Sequence, residues 1–427
     1  MTNQLTGNFL ATDQGLSVGG CAIAELCAAN QNRGPFYLYD GAWVDAQYEA
    51  LDKAFKATYP HGHQISYAVK ANDAMAILKR LAAAGAGADI VSGGELDRAL
   101  AAGIPANKIV FAGVGKTEAE IEKALSAGIQ QFNVESLPEL ERIDAVAQRL
   151  GMVAPVALRT NPDVDAKTHA KITTGTKANK FGIALDDIPG AAQRIQSMAG
   201  VRLVAIAMHI GSQITTITPY EQAYDVMAAL VQSLMNNGIK LERIDVGGGM
   251  GVDYGQGEQG IPFTAFATAV SERLAPLGLP VLIEPGRSIV AEAGVLLTQV
   301  QYVKESYDRR FAIVDAGMHT LMRPALYDAV HPVVAVRNPD TADLVATDLV
   351  GPICESTDVF AKQIDLPRDL KQGDWIALMS AGAYGHVMAN QYNGHALPPL
   401  WLAENGVARN IRPALGDTLL AQELALN

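Results

Sequence analysis

Between residues 65 and 287, short apolar β-rich runs alternate with longer stretches of helical spacing, and nothing else in the chain limits its fold so strongly. The runs fall at 65–69, 89–91, 109–111, 130–134, 153–158, 203–209, 244–246 and 281–283. Between them, 73–84, 118–127, 138–150, 219–236 and 262–274 carry helical periodicity, with Asp, Thr or Pro near their starts. Strands joined through helices pair in parallel, and eight such units predict a (β/α)8 TIM-type barrel. A doubly wound open sheet is the competing arrangement.

After Arg287 the texture changes. Segments 294–303, 311–314, 333–336, 344–350 and 375–379 are strand-like, with turn residues between them and little helical periodicity. Segments 400–403 and 407–411 flank Glu404-Asn405-Gly406, a hairpin turn. The expected organisation is an α/β barrel over 36–287. A mainly β second domain is expected from 288–427 and the N-terminal segment 1–35, with a weak strand at 36–39 packing nearby.

Composition excludes several classes of partner. The 427-residue chain has a formal net charge of -12, which argues against nucleic acid, because phosphate binding needs clustered Lys and Arg. No apolar run reaches the roughly 18 to 20 residues that span a bilayer. No Lys or Arg precedes Arg33, so no secretory leader is expected. Three cysteines, Cys21, Cys27 and Cys354, are too few for a disulfide framework, and no Cys-x-x-Cys pair suggests zinc. A cytoplasmic location is the expectation, with a packing role for Cys21 and Cys27.

Barrel enzymes place chemistry at the C-terminal ends of their strands. Those ends carry Lys70 after the first strand, His209 after the sixth, Gly247-Gly248-Gly249 after the seventh and Glu284-Pro285-Gly286-Arg287 after the eighth. An amine can join an aldehyde cofactor covalently, and an imidazole can stack on a flat ring. Consecutive glycines let backbone N–H groups approach a phosphate. A carboxylate beside a pyridine nitrogen keeps that nitrogen protonated, so the ring can accept the electron pair released at Cα. Singly, each feature has an ordinary reading: a solvated lysine, a core histidine, a glycine turn, a surface Glu–Arg pair worth roughly 0 to 1 kcal/mol. Their joint placement at strand ends points to pyridoxal-phosphate chemistry, and Glu284 favours decarboxylation over racemisation.

Tyr67-Ala68-Val69-Lys70-Ala71-Asn72, His209-Ile210-Gly211-Ser212-Gln213, the three glycines and Glu284-Pro285-Gly286-Arg287 resemble the fold-type III pyridoxal-phosphate decarboxylases. Asp315-Ala316-Gly317-Met318, Arg323-Pro324-Ala325-Leu326-Tyr327, Cys354-Glu355-Ser356-Thr357-Asp358 and Ala381-Gly382-Ala383-Tyr384-Gly385 narrow the resemblance to the diaminopimelate decarboxylase family. The likeness runs in order from about Pro35 to Tyr392. It implies that Lys70 joins the cofactor covalently, His209 stacks on its ring, and Glu284 pairs with its pyridine nitrogen. Ser212, Gly248, Gly286 and Arg287 would seat the phosphate, with Tyr384 near it and Asp89 supporting the site. Arg287, Arg323, Tyr327, Glu355 and Tyr384 would bind substrate, and Cys354 would return a proton after carbon dioxide leaves. The implied substrate is meso-2,6-diaminopimelate, decarboxylated to L-lysine in the last step of lysine biosynthesis. Its non-reacting end offers a carboxylate to arginine and an ammonium to an acid. The resemblance also implies a homodimer with active sites at the subunit interface.

His319-Thr320 and the segment 386–393 depart from the usual family pattern beside substrate-contacting elements. His61 and His63 are expected to be solvated. The alternatives are a decarboxylase of ornithine, arginine or carboxynorspermidine, a racemase, and a non-catalytic carrier of the cofactor. A carrier would need neither Cys354 nor the set Arg323, Tyr327 and Tyr384.

Overall fold

The alternating strands close into a ring in the computed structural model, which describes residues 3–12, 15–162, 164, 180–337 and 341–426. Eight parallel strands form it among these residues: β1 (His63–Ala68), β2 (Gly87–Ile90), β3 (Ile109–Phe111), β4 (Gln131–Val134), β5 (Ala154–Asn161), β6 (Val201–Met208), β7 (Arg243–Asp245) and β8 (Val281–Ile283). Each pairs with its sequence neighbours, and β8 returns to β1 with Val281, Leu282 and Ile283 opposite His63, Gln64 and Ile65. Closure removes the free edges that an open sheet would leave. The expected barrel is therefore the observed one, and the open sheet is excluded.

Local chemistry sets the crossover helices. Glu118–Ala127 starts on a reciprocal capping box, in which Thr117 accepts from the Glu120 N–H and the Glu120 carboxylate accepts from the Thr117 N–H. Leu137–Leu150 starts on Ser136, and Thr218–Asn236 carries proline in its first turn. His63 departs from expectation. It opens β1, packs against Phe55 with ring centroids 5.4 Å apart, and bonds Asp52 at 2.9 Å, whereas His61 is exposed.

Two compact units divide the chain: residues 1–45, 253–258 and 289–427, and residues 46–252 with 259–288. The first is mainly β. A seven-strand path runs Val359–Pro367, Leu344–Val350, Arg309–Val314, Gly294–Ser306, Phe36–Asp40, Leu400–Glu404, Val407–Arg412. The last two are the expected hairpin, turning through Asn405 and Gly406 at φ 51° and 78°. This unit reaches residue 45 instead of ending at 35, for a physical reason. All five residues of Phe36–Asp40 are buried, and the strand pairs antiparallel with Gly294–Ser306 and parallel with Leu400–Glu404, so it is a central strand of that sheet. Asn3–Gln4, Leu10–Thr12, Gly15–Val18 and Cys21–Ala22 add a small antiparallel sheet. Cys21 and Cys27 pack with Phe9, Phe36 and Trp375 in its core.

Candidate active site

Lys70 lies on a single 3-10 turn directly after β1. The turn is pinned from both sides: Tyr67 donates its hydroxyl to the Asn72 carbonyl at 3.0 Å, and the Ala68 N–H bonds the Pro285 carbonyl at 2.9 Å. The Lys70 ammonium pairs with Asp89 of β2, whose side chain is fully buried while that of Lys70 is 35% exposed. Asp89 Oδ1 has no hydrogen-bond partner among the described residues, so this carboxylate has acceptor capacity to spare beside the amine. Glu95, on the next helix, is pushed up to about 7 by burial, with Asp89 and Asp73 adding to the rise. Sequence reasoning had assigned Glu95 no role.

The glycine loop after β7 leaves no room for side chains. A Cβ at Gly248 would lie 2.0 Å from the Glu284 carbonyl oxygen, and one at Gly249 would lie 2.2 Å from that of Gly211. Tyr220 donates its hydroxyl to the Gly248 carbonyl at 3.0 Å. The Gly248 N–H donates to His209 Nδ1 at 3.3 Å, so the proton of the neutral imidazole sits on Nε2. Burial, and then the charges of Arg159 and Lys70, hold His209 well below the usual histidine range. It stays uncharged. Arg287 Nη2 donates to Ser212 Oγ at 3.1 Å, and Gly286 packs against Ala68 and Ala71 of the lysine turn.

Below this rim lies a buried acid network that sequence reasoning missed. Asn133 Nδ2 reaches both Asp245 Oδ2 at 2.9 Å and Glu284 Oε1 at 3.2 Å. Gln131 Nε2 bonds Asn133 Oδ1 at 2.8 Å, and the Gly247 N–H bonds Asp245 Oδ1 at 3.1 Å. Desolvation, then Asp245 and Asp89, push Glu284 well above the usual carboxyl range; desolvation likewise raises Asp245. Between the ordinary carboxyl range and these raised values, the folded chain holds protons that the unfolded chain has released. The network's contribution to stability is thus complete at low pH and falls as pH climbs out of that range. Cofactor-free protein should therefore gain melting temperature, relative to Asp245→Asn, between about pH 8 and about pH 5. A wild-type-to-variant difference that stays constant across that range would contradict the assignment.

Arg323, Tyr327, Cys354, Glu355 and Tyr384 all belong to the β unit, and the other sequence-predicted site residues all belong to the barrel. Arg323 and Tyr327 bound the short helix Arg323–Tyr327. Cys354 and Glu355 are exposed on a loop organised by Asp358. The Asp358 carboxylate accepts from the Met318 N–H at 2.6 Å and the Ile353 N–H at 2.7 Å, and a Cβ at Gly317 or Gly351 would collide with it. Tyr392 donates its hydroxyl to Glu355 Oε1 at 2.5 Å, a contact without a sequence signal. Tyr384 is half-buried at a left-handed φ of 56°. His319 is buried in this unit with its ring stacked on His395 at 4.3 Å, and burial holds it down at about 4. Thr320 closes a turn on the Gly317 carbonyl at 2.8 Å.

The barrel rim by itself defines a class: a (β/α)8-barrel enzyme whose strand ends carry an amine, a neutral imidazole and a protonatable acid. Residues 43–291 match the family described as pyridoxal-dependent decarboxylase, pyridoxal binding domain. The chain is 47% identical to the diaminopimelate decarboxylase of Neisseria meningitidis serogroup B, covering 92% of this chain and 93% of that protein. It is 49% identical to that of Pseudomonas fluorescens over 84% and 85% respectively. The Helicobacter pylori enzyme, solved with L-lysine, superposes with TM-score 0.89 at 41% identity, covering 94% of this chain and all (100%) of that one. The M. jannaschii enzyme, also solved with L-lysine, gives 0.92 at 35% identity and 98% coverage of both. The chain is a decarboxylase that belongs, within the pyridoxal-dependent decarboxylases, to the diaminopimelate decarboxylase family. Among the described residues no helix is long and apolar enough to cross a membrane.

Proposed function

We propose that this protein binds pyridoxal 5'-phosphate at the barrel rim and decarboxylates meso-2,6-diaminopimelate to L-lysine, the last step of lysine biosynthesis by the diaminopimelate route. The observation that carries the reading is the Lys70 amine, set on the buried Asp89 in the same barrel whose eighth strand ends in the raised acid Glu284. The residues suit the cofactor: an amine for its aldehyde, an uncharged ring for its face, an acid for its nitrogen. A loop where no Cβ fits suits its phosphate. Bound there, pyridoxal phosphate supplies an electron-poor ring that takes up the charge left when carbon dioxide departs.

The chain's own residues do the rest. Lys70 holds the cofactor covalently, and Asp89 fixes the amine's position. Neutral His209 stacks on the ring without repelling its cationic nitrogen, and Glu284 holds the proton at that nitrogen. Ser212, Gly248, Gly286 and Arg287 seat the phosphate, with Tyr384 beside it. Arg287, Arg323, Tyr327, Glu355 and Tyr384 grip the substrate, arginine on its distal carboxylate and Glu355 on its distal ammonium. Cys354 returns a proton to the carbon that lost the carboxyl group. The cofactor domain is the barrel, residues 46–252 with 259–288, and the remainder is the β domain.

A panel of meso-diaminopimelate, ornithine, arginine and lysine, scored for carbon dioxide release, tests the substrate. Turnover of a monocarboxylic substrate equal to that of the diacid would overturn the assignment. Cys354→Ala should slow turnover by about 10²- to 10⁴-fold while leaving cofactor binding intact.

The working form is a homodimer in the cytoplasm, with each site completed by the other subunit's Cys354 loop. Co-expressed Lys70→Ala and Cys354→Ala chains should then recover about a quarter of wild-type activity, since half of random dimers hold one intact site of two. Activity no higher than that of either variant alone would count against shared sites.

A further inference from the structure

In the β unit, two buried side chains that the proposed mechanism leaves unused, His331 and Tyr254, cage the guanidinium of Arg323. Arg323, His331 and Tyr254 are all buried, at 6%, 4% and 8% exposure. Arg323 Nη1 lies 2.9 Å from His331 Nε2, and His331 Nδ1 lies 2.9 Å from the Met379 carbonyl oxygen. A guanidinium can only donate and a carbonyl can only accept. Nδ1 therefore carries the hydrogen and Nε2 is the acceptor, which describes one tautomer of an uncharged ring. Under the guanidinium lies the Tyr254 ring, 4.6 Å from Cζ to centroid, and its ring meets that of His331 edge-on at 5.3 Å.

The backbone builds this cage deliberately. Asp328 turns the chain through φ 53° after the Arg323 helix, which brings residue 331 back to residue 323. The Met379 N–H bonds the Pro332 carbonyl at 2.8 Å, and Val333–Ala335 continues as a strand against Trp375–Leu378. Both backbone polar groups of Met379 are thereby tied to residues 331 and 332. Gly255 holds φ at +77°, and a Cβ there would lie 2.9 Å from Pro332 Cγ, so the Tyr254 segment lies flat against the residue after His331.

We infer that His331 and Tyr254 are positioning residues that fix the plane of the Arg323 fork, and through it set this protein's preference for a ligand bearing a distal carboxylate. The inference rests on the reading above that Arg323 receives that carboxylate. An arginine on a flexible stem must be ordered when its ligand arrives, which weakens binding; one already bonded on one side and stacked on a ring is ordered beforehand. The chemistry of the cage is matched to that task. An acid in place of His331 would bring a negative charge of its own to the guanidinium, whereas a neutral imidazole and a phenol ring hold it without adding one.

The test is calorimetric titration of holoenzyme with L-lysine, which keeps the distal carboxylate, and with 1,5-diaminopentane, which has the same amines and no carboxylate. His331→Leu keeps volume and removes the acceptor, and His331→Gln restores a side-chain oxygen. In His331→Leu, the Kd for L-lysine is expected to rise about tenfold while that for diaminopentane stays unchanged. The KM for the diacid should rise by the same factor with kcat held within about twofold, and His331→Gln should recover most of the loss. Equal weakening of both ligands, or unaltered lysine affinity, overturns the inference. Arg323→Leu separates the two layers. If it leaves lysine binding intact, the reading of Arg323 fails; if it abolishes binding while His331→Leu leaves the lysine Kd unchanged, the role of His331 alone fails. Should His331→Leu not fold, Tyr254→Leu against Tyr254→Phe makes the same comparison, with phenylalanine keeping the ring face and the affinity. Equal lysine affinity in those two variants would also refute the cage.

Discussion

With Lys70 replaced by methionine, decarboxylation is expected to fall by about a thousandfold or more, and added pyridoxal phosphate should not restore it. Methionine keeps the length and apolar stem of lysine but cannot attack an aldehyde. Among the described residues, Lys116 is no ready substitute. Lys116 is buried, and its ammonium is spent on Glu139 at 2.6 Å and on the carbonyls of Gly113 and Asn133, both at 2.8 Å. The variant also leaves the fully buried Asp89 without its cation, which costs about 1 to 3 kcal/mol of stability. A thermal melt run beside the rate assay separates the two effects. A folded variant with a thousandfold loss supports covalent chemistry at Lys70, and a folded variant with near-normal turnover removes its basis.

Glu284→Ala is expected to lower kcat by about 10²- to 10³-fold, the range for removing one preorganised electrostatic partner of a transition state. The wild-type acid is held in an unfavourable state, desolvated and facing Asp245 and Asp89, so burial favours its protonated form until a cationic nitrogen arrives opposite. Glutamine is isosteric with that protonated form but cannot become a carboxylate. Glu284→Gln should therefore melt at or above the wild-type temperature without cofactor, yet share most of the catalytic loss. Stability and activity are expected to move apart, as they do where a site carries strain for function. A Glu284→Gln enzyme with both wild-type rate and wild-type melting would show that this acid has no catalytic task.

The sequence exposed the rim of the barrel and hid its interior. Lys70, His209, the three glycines and Glu284 were legible because each follows an apolar run, and strand ends are where a barrel presents its chemistry. The barrel was legible because short apolar β-rich runs alternated with stretches of helical spacing. Asp245, Asn133 and Gln131 were not, since their importance depends on closure bringing β4, β7 and β8 around one interior. A signal did exist. Gln131 and Asn133 are polar residues two apart in a strand where Phe132 and Val134 are buried and apolar, and buried polar groups demand partners. His331 and Asp358 act through tertiary bonds to Arg323, Met318 and Ile353, which no local pattern encodes. His63 was misjudged because a histidine before a strand looks solvated until Asp52 and Phe55 of the preceding helix are seen to cover it. The position of 253–258 in the β unit also escaped the sequence, because contiguity suggested that a loop between barrel elements stays with the barrel.

One measurement bears most directly on the account: borohydride reduction of the protein after incubation with pyridoxal phosphate, followed by mass mapping of its peptides. A pyridoxyl group on the peptide containing Lys70, and on no other lysine, is the predicted result. Labelling of a different lysine, or an unlabelled protein that still releases carbon dioxide from the diacid, would contradict it.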